Sequence, residues 1–346
     1  MPAIKKKIKQ ALLVLAPFAL LALALTVLFK DSWQQILIQS KSINALWFTA
    51  GLALAAVFYI ADAQGFRLLI RRLLPDFSLK EGVEIVAMGL FMNVSTFGTG
   101  IKPAQALYLK NRGADLGESL GPLILPYVFH KLTIVLYGIY AILFYHGFLL
   151  KHFARRMLYL YLGCGLSLII CLVLVLLCVS GGFHRLIFDR LKKLFRKEKY
   201  LAAVSRLEEE TGQMRRQTAG ILQDRVLCLK MLGINLLKFF CWYAVPWLAF
   251  RAVGVADMPL AFGQCMAVAA VVQLLIGVIP ITGGMVSAEV VFVLLYAVIF
   301  GEVTAGAGMV VFRLATYYLP VLVSCLYSLS IYLRRRRRGN PGGAPA

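Results

Sequence analysis

The sequence predicts an all-α, polytopic membrane protein: about six full transmembrane helices and two broken or re-entrant helical hairpins, with eight or more crossings if the hairpins span. Three observations carry this. The 346 residues are 60% hydrophobic, at a mean hydropathy of +0.79. That is too apolar for a soluble domain, and several apolar runs approach the ~20 residues that cross a bilayer. The formal net charge of +21 is concentrated in short hydrophilic pieces, as in a membrane protein oriented by its basic loops. Finally, two apolar stretches, Phe91–Gln105 and Ile276–Glu289, are interrupted by Gly, Pro, Thr and a polar or charged residue. Broken backbone at membrane depth is stable only where protein buries it or where it lines a polar cavity.

In chain order, the run Ala11–Phe29 follows Lys5, Lys6, Lys7 and Lys9. It is long and lacks a small-residue cleavage site, so it reads as an uncleaved helix over 11–30. Full spans follow at 45–66, 120–146, 157–179, 226–250 and 306–332. The Lys-rich N-terminus, the group Arg67, Arg71, Arg72 and Lys80, and the tail Arg334–Arg338 all read as cytoplasmic. So does the segment 181–230, with twelve Lys/Arg against six Asp/Glu. Lys151, Arg155 and Arg156 fall outside in this scheme and are outvoted. The expectation is a multi-pass protein of the cytoplasmic membrane with both termini inside.

That topology makes 83–119 a hairpin that starts and ends inside, and 259–305 one that starts and ends outside. Span–hairpin–span occurs over 45–146 and again, inverted, over 226–332, the logic of an inverted repeat within one integral membrane domain, 1–338. A sequence echo supports it. Gly98-Thr-Gly100 precedes Pro103 and Gln105, while Thr282-Gly-Gly284 precedes Ser287 and Glu289. Lys131 then follows Gln105 by 26 residues, and Arg313 follows Glu289 by 24. The halves are joined by a basic connector, 181–225. Its segment Phe183–Lys197 has apolar residues at helical spacing opposite Arg and Lys. This suits either an anionic membrane surface or a connector packed on its neighbours. Residues 339–346 are expected to be disordered.

No enzyme constellation occurs: there is no GxSxG, P-loop, HExxH or dinucleotide fingerprint. The seven Cys form no CxxC and the four His are scattered, so no catalytic residue, metal or cofactor is expected. Basic charge interleaved with membrane spans argues against a nucleic-acid partner. Ionisable groups inside spans are costly and so become functional candidates. Glu289 reads as the one acid well inside an apolar stretch, with Glu84 near the mouth of its hairpin. The bases are Lys131, Lys238 and Arg313, with Lys102 in the first hairpin and His130 beside Lys131. Arg313 suits a headgroup phosphate, which a guanidinium fork can grip, or a structural ion pair with Glu289. Lys238, beside Phe239, Phe240 and Trp242, reads as structural. Gly98, Gly100, Gly283 and Gly284 allow helix breaks whose N–H groups face an anion, or close helix packing. Asn93, Ser95, Thr96, Thr99, Gln105, Thr282 and Ser287 supply uncharged polar lining.

The stretch Asn93–Gln105, the pair His130-Lys131, and Ile279–Glu289 with Arg313 and Tyr317 together resemble the flippase-like integral membrane family. That family is the membrane part of lysylphosphatidylglycerol synthase, or multiple peptide resistance factor. The resemblance covers about 11–332. It implies movement of a modified phospholipid across the bilayer, with a separate cytosolic domain attaching the amino acid. No such domain follows Arg338 in this sequence, so lysyl transfer is not carried over. By position, the resemblance implies that the two Gly/Pro motifs, Glu289, Lys131 and Arg313 surround the lipid path.

The resulting expectation is a lipid translocase that moves or binds a phospholipid, aminoacylated phosphatidylglycerol being one candidate. Its binding residues would be Arg313, Lys131, Glu289, Gly98, Gly100, Lys102, Gln105, Thr282, Gly283, Gly284 and Tyr317. Expected partners are the phospholipid, the anionic membrane surface, and either a second copy or a separate lipid synthase. The rival readings are a membrane lipid transferase, such as a phosphatidylglycerol lysyltransferase, and a scaffold that recruits a separate synthase.

Overall fold

The structure is a computed structural model that describes residues 33–41, 43–96, 98–154, 157–194, 198–278 and 285–327. The expected span 11–30, the residues Thr282, Gly283 and Gly284, and the tail 339–346 lie outside the described residues. Every regular element among the described residues is helical. Among the described residues, five helical segments are long and apolar enough to cross a membrane: Ala45–Ile70, Gly121–Phe144, Leu160–Leu177, Arg225–Ala252 and Glu302–Tyr327. The chain is thus an all-α polytopic membrane protein.

A short helix α1 (Trp33–Lys41) leads into α2 (Ala45–Ile70). The Asn44 side chain caps α2, accepting from the Leu46 and Trp47 N–H groups at 3.0 and 3.4 Å. Such a cap satisfies donors that the first turn leaves orphaned. The helices α3 (Leu79–Thr96) and α4 (Ile101–Lys110) form the first hairpin. Ser78 and Glu81 close a capping box at its start: the Glu81 carboxylate accepts from the Ser78 N–H and hydroxyl, both at 2.8 Å. Burial works against the Glu81 charge, but these bonds and the Arg112 guanidinium together hold its carboxyl below the usual range.

At 1.5 Å per residue α3 is about 27 Å long and α4 about 15 Å. The latter is half of a ~30 Å hydrocarbon core, so α4 is too short to cross it alone. Helix α5 (Leu116–Phe144) contains Pro122 and Pro126. Then come α6 (His146–Phe153), the very apolar α7 (Met157–Val179), and the connector helices α8 (Gly181–Leu194) and α9 (Glu198–Leu222). In α8, buried Phe188 and His184 share a face, and the His184 imidazole meets the Thr211 hydroxyl of α9 at 2.9 Å. Part of the amphipathic face therefore packs on the connector itself.

The second half repeats the plan. Helix α10 (Arg225–Ala252) is capped by Asp224, which accepts from the Leu227 N–H at 2.9 Å. A second hairpin follows, α11 (Phe262–Val278) and α12 (Met285–Phe300). Helix α13 (Glu302–Arg313) then runs through a π-turn, Leu314–Tyr318, to the end of the last span. In the first half α2 packs on α3 and α5, and α4 on both α3 and α5; in the second, α10 packs on α11 and α13, and α12 on both α11 and α13. The two leading helices, α2 and α10, pack along each other. One apolar core holds Phe66, Phe77, Ile85 and Leu109 of the first half. Another holds Phe250, Val268, Phe292 and Tyr296 of the second, joined by Ile134 and Ala141 of α5.

Close backbone approach fixes the first hairpin against α2. A Cβ on Gly82 would meet the Ala63 carbonyl oxygen at 2.5 Å. Backbone cannot swing aside as a side chain can, so Gly82→Ala should destabilise the protein by about 1–3 kcal/mol, the usual range for overpacking. Gly147→Ala, at an exposed α6 position with open space around it, should leave the melting temperature unchanged or slightly raised. Thermal unfolding in detergent compares the two, and equal melting temperatures would remove the close-packing account.

Candidate functional site

A cavity of about 810 Å³ lies between the halves, bordered by α2, α3, α4, α5, α10, α11, α12 and α13 with its π-turn. The charged residues on its wall come from the middle of the spans. Lys131, Lys238 and Arg313 each sit within two residues of the centre of α5, α10 and the last span. Asp62 lies about a turn past the middle of α2.

The first hairpin contributes the turn. Gly98 has φ = 85°, left-handed backbone that suits glycine. Its N–H donates to the Asn93 carbonyl at 3.0 Å, and the Gly100 N–H donates to the Thr96 hydroxyl at 2.7 Å. Both N–H groups are therefore used inside the turn, and the glycines serve its geometry. Gly98 and Thr99 border the cavity, whereas Gly100 stands behind Thr96, whose side chain a Cβ at Gly100 would strike at 2.7 Å. On the emerging α4, the Lys102 ammonium donates to the Leu123 carbonyl at 2.7 Å and to the Gln105 side-chain oxygen at 3.3 Å. Leu123 lies between the two prolines of α5, Pro122 and Pro126. Gln105 is almost fully buried and donates in turn to the Ile85 carbonyl at 3.4 Å.

Two ion pairs organise the rest. Lys238 of α10 pairs with Asp62 of α2. Its ammonium also faces the His130 Nδ1 at 3.4 Å and the ring of Phe58, with the centroid at 4.9 Å. An ammonium has no lone pair, so in this contact Nδ1 can serve only as the acceptor. The second pair joins Arg313 Nε to Glu289 Oε1 at 2.7 Å, a contact defined by distance more than by hydrogen-bond alignment. Glu289 is 1% exposed and sits just behind the wall that Arg313 lines. The guanidinium lies 5.2 Å from the Tyr317 ring centroid, in cation–π range. Tyr317 belongs to the π-turn, whose Thr316 carbonyl accepts from the Tyr59 hydroxyl of α2 at 2.6 Å. Short π-segments inside α-helices recur at functional sites. Lys131 lies 5.6 Å from the Tyr127 ring centroid.

Of the expected residues, Arg313, Lys131, Gly98, Lys102, Gln105 and Tyr317 border one cavity, with Glu289 bonded to it through Arg313. Thr282, Gly283 and Gly284 lie outside the described residues. Lys238, read as structural from its aromatic neighbours, is on the cavity wall. Asp62 went unrecognised, and Glu289 is not the only acid at depth. Helix α2 continues to Ile70, a turn beyond the expected end of its span, which carries Asp62 inward. Among the described residues no cluster of His, Cys, Asp or Glu could hold a metal ion.

The model of one family, the lysylphosphatidylglycerol synthase TM region, matches residues 12–324. The chain belongs to this family. No curated protein matches it. The family therefore adds a membrane-embedded, lipid-synthase-related frame to a cavity lined by charge from both halves of this chain.

The Glu289–Arg313 pair is the most buried ionic contact among the described residues. Removing one partner of such a pair costs about 3–5 kcal/mol in soluble proteins, and less where water or snorkelling reaches the survivor. Glu289→Gln should lower the melting temperature, and Glu289→Gln combined with Arg313→Gln should recover part of the loss. Strict additivity in this double-mutant cycle would show that the two residues are not coupled.

Proposed function

We propose that the chain is a lipid translocase of the cytoplasmic membrane, moving a phospholipid between leaflets. The observation that supports it best is the mid-depth cavity, lined by Lys102, Lys131, Lys238 and Arg313 and reached by both halves of the fold. A headgroup crossing hydrocarbon needs fixed counter-charges at that depth. An anionic phosphate is held by the Arg313 fork and Lys131, with neutral contacts from Gln105 and Asn93. Glu289 neutralises Arg313 when no lipid is bound and releases it to the phosphate. The two halves form an inverted repeat, and their hairpins open in turn toward opposite leaflets, as transporters with paired broken helices do. Apolar walls from Phe66, Leu90, Phe239 and Ile276 receive the acyl chains. A separate lipid synthase upstream is a natural partner for such a carrier.

If the fork geometry matters, Arg313→Lys should slow lipid redistribution in reconstituted vesicles nearly as much as Arg313→Ala, because a point charge cannot grip phosphate bidentately. Full activity in the lysine variant would remove the fork. Chemical turnover of lipid by the purified chain alone would replace transport with transfer chemistry.

Orientation follows the basic segments, with 181–225 and both termini in the cytoplasm. Single cysteines placed by Gly147→Cys and Ser205→Cys, both at exposed positions, test this with an impermeant maleimide on intact cells. The first should label and the second should not, and the reverse pattern would invert the topology.

A further inference from the structure

The cavity wall sets an acid in front of a base. In the Asp62–Lys238 pair the Asp62 side chain is 26% exposed and the Lys238 side chain 3%, and both residues border the cavity. A headgroup phosphate that enters therefore meets the carboxylate before the ammonium. An acid in that position repels the phosphate that its basic neighbours attract, unless it carries a proton while the phosphate is there.

The surroundings of Lys238 leave little room for both anions. An ammonium has three donors. Asp62 Oδ1 takes one and His130 Nδ1 faces another at 3.4 Å. The rings of Phe58 and Phe239 crowd the ammonium, with centroids at 4.9 and 5.7 Å. A phosphate held by Arg313 and Lys131 reaches this ammonium by taking the place of the carboxylate.

That exchange changes what Asp62 meets. A carboxylate that loses its ammonium and gains an anion beside it, in a cavity partly closed to water, moves toward its protonated form. Ionised, it only accepts hydrogen bonds; protonated, it also donates one. Titratable groups face it from the elements around it. They are Lys238 on α10, His130 and Lys131 on α5, and Lys102 on α4. Tyr59 lies on α2 itself, and the last span brings Arg313 and Tyr317. From α3 the polar wall residue is Asn93, which does not titrate. The bases hold Asp62 ionised in the empty cavity, and a phosphate that draws Lys238 to itself weakens that hold.

We propose that Asp62 is a proton-coupling site. The phosphate of a lipid headgroup takes the Lys238 ammonium, and Asp62 takes one proton from the water of the cavity and donates its new O–H to the phosphate. When the headgroup leaves, the proton returns to water and the ion pair re-forms. The proposal rests on the lipid-binding reading above and adds one proton to each headgroup bound; carried through a transport cycle, that proton crosses with the lipid.

The test measures binding of a fluorescently tagged phosphatidylglycerol to the purified full chain in mixed micelles between pH 8 and pH 6. Its phosphodiester keeps a single charge over this range, so the lipid adds no titration of its own. Binding should tighten as the pH falls, approaching about tenfold per pH unit, the limit for one proton. Calorimetry at pH 7 in two buffers of different ionisation enthalpy should show proton uptake, up to one per lipid. Asp62→Asn cannot titrate and should flatten the profile near its tight, acidic end, whereas His130→Gln should keep the slope. The wild-type profile and proton count need no substitution, so they decide the matter even if a variant fails to fold.

An affinity that ignores pH, or a proton count of zero, overturns the proposal. So does a slope that survives Asp62→Asn and vanishes in His130→Gln, which would move the proton to the imidazole. Failure of phosphatidylglycerol to bind at any pH takes down the lipid reading and this inference with it. Leaflet redistribution, measured separately in vesicles, tells the two apart. Proton-linked binding without redistribution upholds this inference and sinks transport; redistribution with pH-independent binding does the reverse.

Discussion

Charge at the centre of a membrane must be answered by other charge or by water, and this requirement organises the molecule. The sequence places ionisable residues near the middle of α2, α5, α10 and the last span, and the fold turns each toward one cavity. Of the two pairs formed there, Asp62–Lys238 joins the halves and Glu289–Arg313 joins the second hairpin to the helix after it. A buried ion pair adds little net stability over apolar packing, but losing one member is severe. Such pairs therefore fix how helices are placed relative to one another more than how strongly they adhere.

Apolar packing supplies the adhesion. Each half has its own core of aromatic and branched side chains, and the leading helices α2 and α10 run along one another between them. Polar links then cross the gap where backbone is irregular. Lys102 reaches a carbonyl between the prolines of α5, and Tyr59 reaches a carbonyl in the π-turn. In both cases a side chain from one element bonds to a backbone carbonyl of another and so ties the two together.

Much of this was legible in the sequence because bilayer constraints are severe. Run length located the spans among the described residues, and Gly inside an apolar run located the break between α3 and α4. Arg313 and Glu289 stood out because an apolar run offers few alternatives to pairing. Asp62 did not, since run length alone underestimates a helix whose last turn carries Arg67 and polar neighbours. The partner of Lys238, a residue read as structural, was hidden for a related reason. Its aromatic neighbours in sequence suggested packing, but residues adjacent in a helix point different ways, and its partner comes from a helix 176 residues away. The hydrogen bonds within the glycine turn were also hidden, because they depend on Thr96 and Asn93 folding back onto it.

The shortness of α4 has a consequence for how the protein is made. A ten-residue helix and the turn before it present more open backbone than hydrocarbon tolerates. The first hairpin therefore cannot be released sideways into lipid as an independent unit when it leaves the ribosome. It has to be kept in an aqueous or protein-lined setting until α5 has been synthesised and can cover it beside α2. The smallest piece of this chain that covers the hairpin on both sides is for that reason the stretch from α2 to α5.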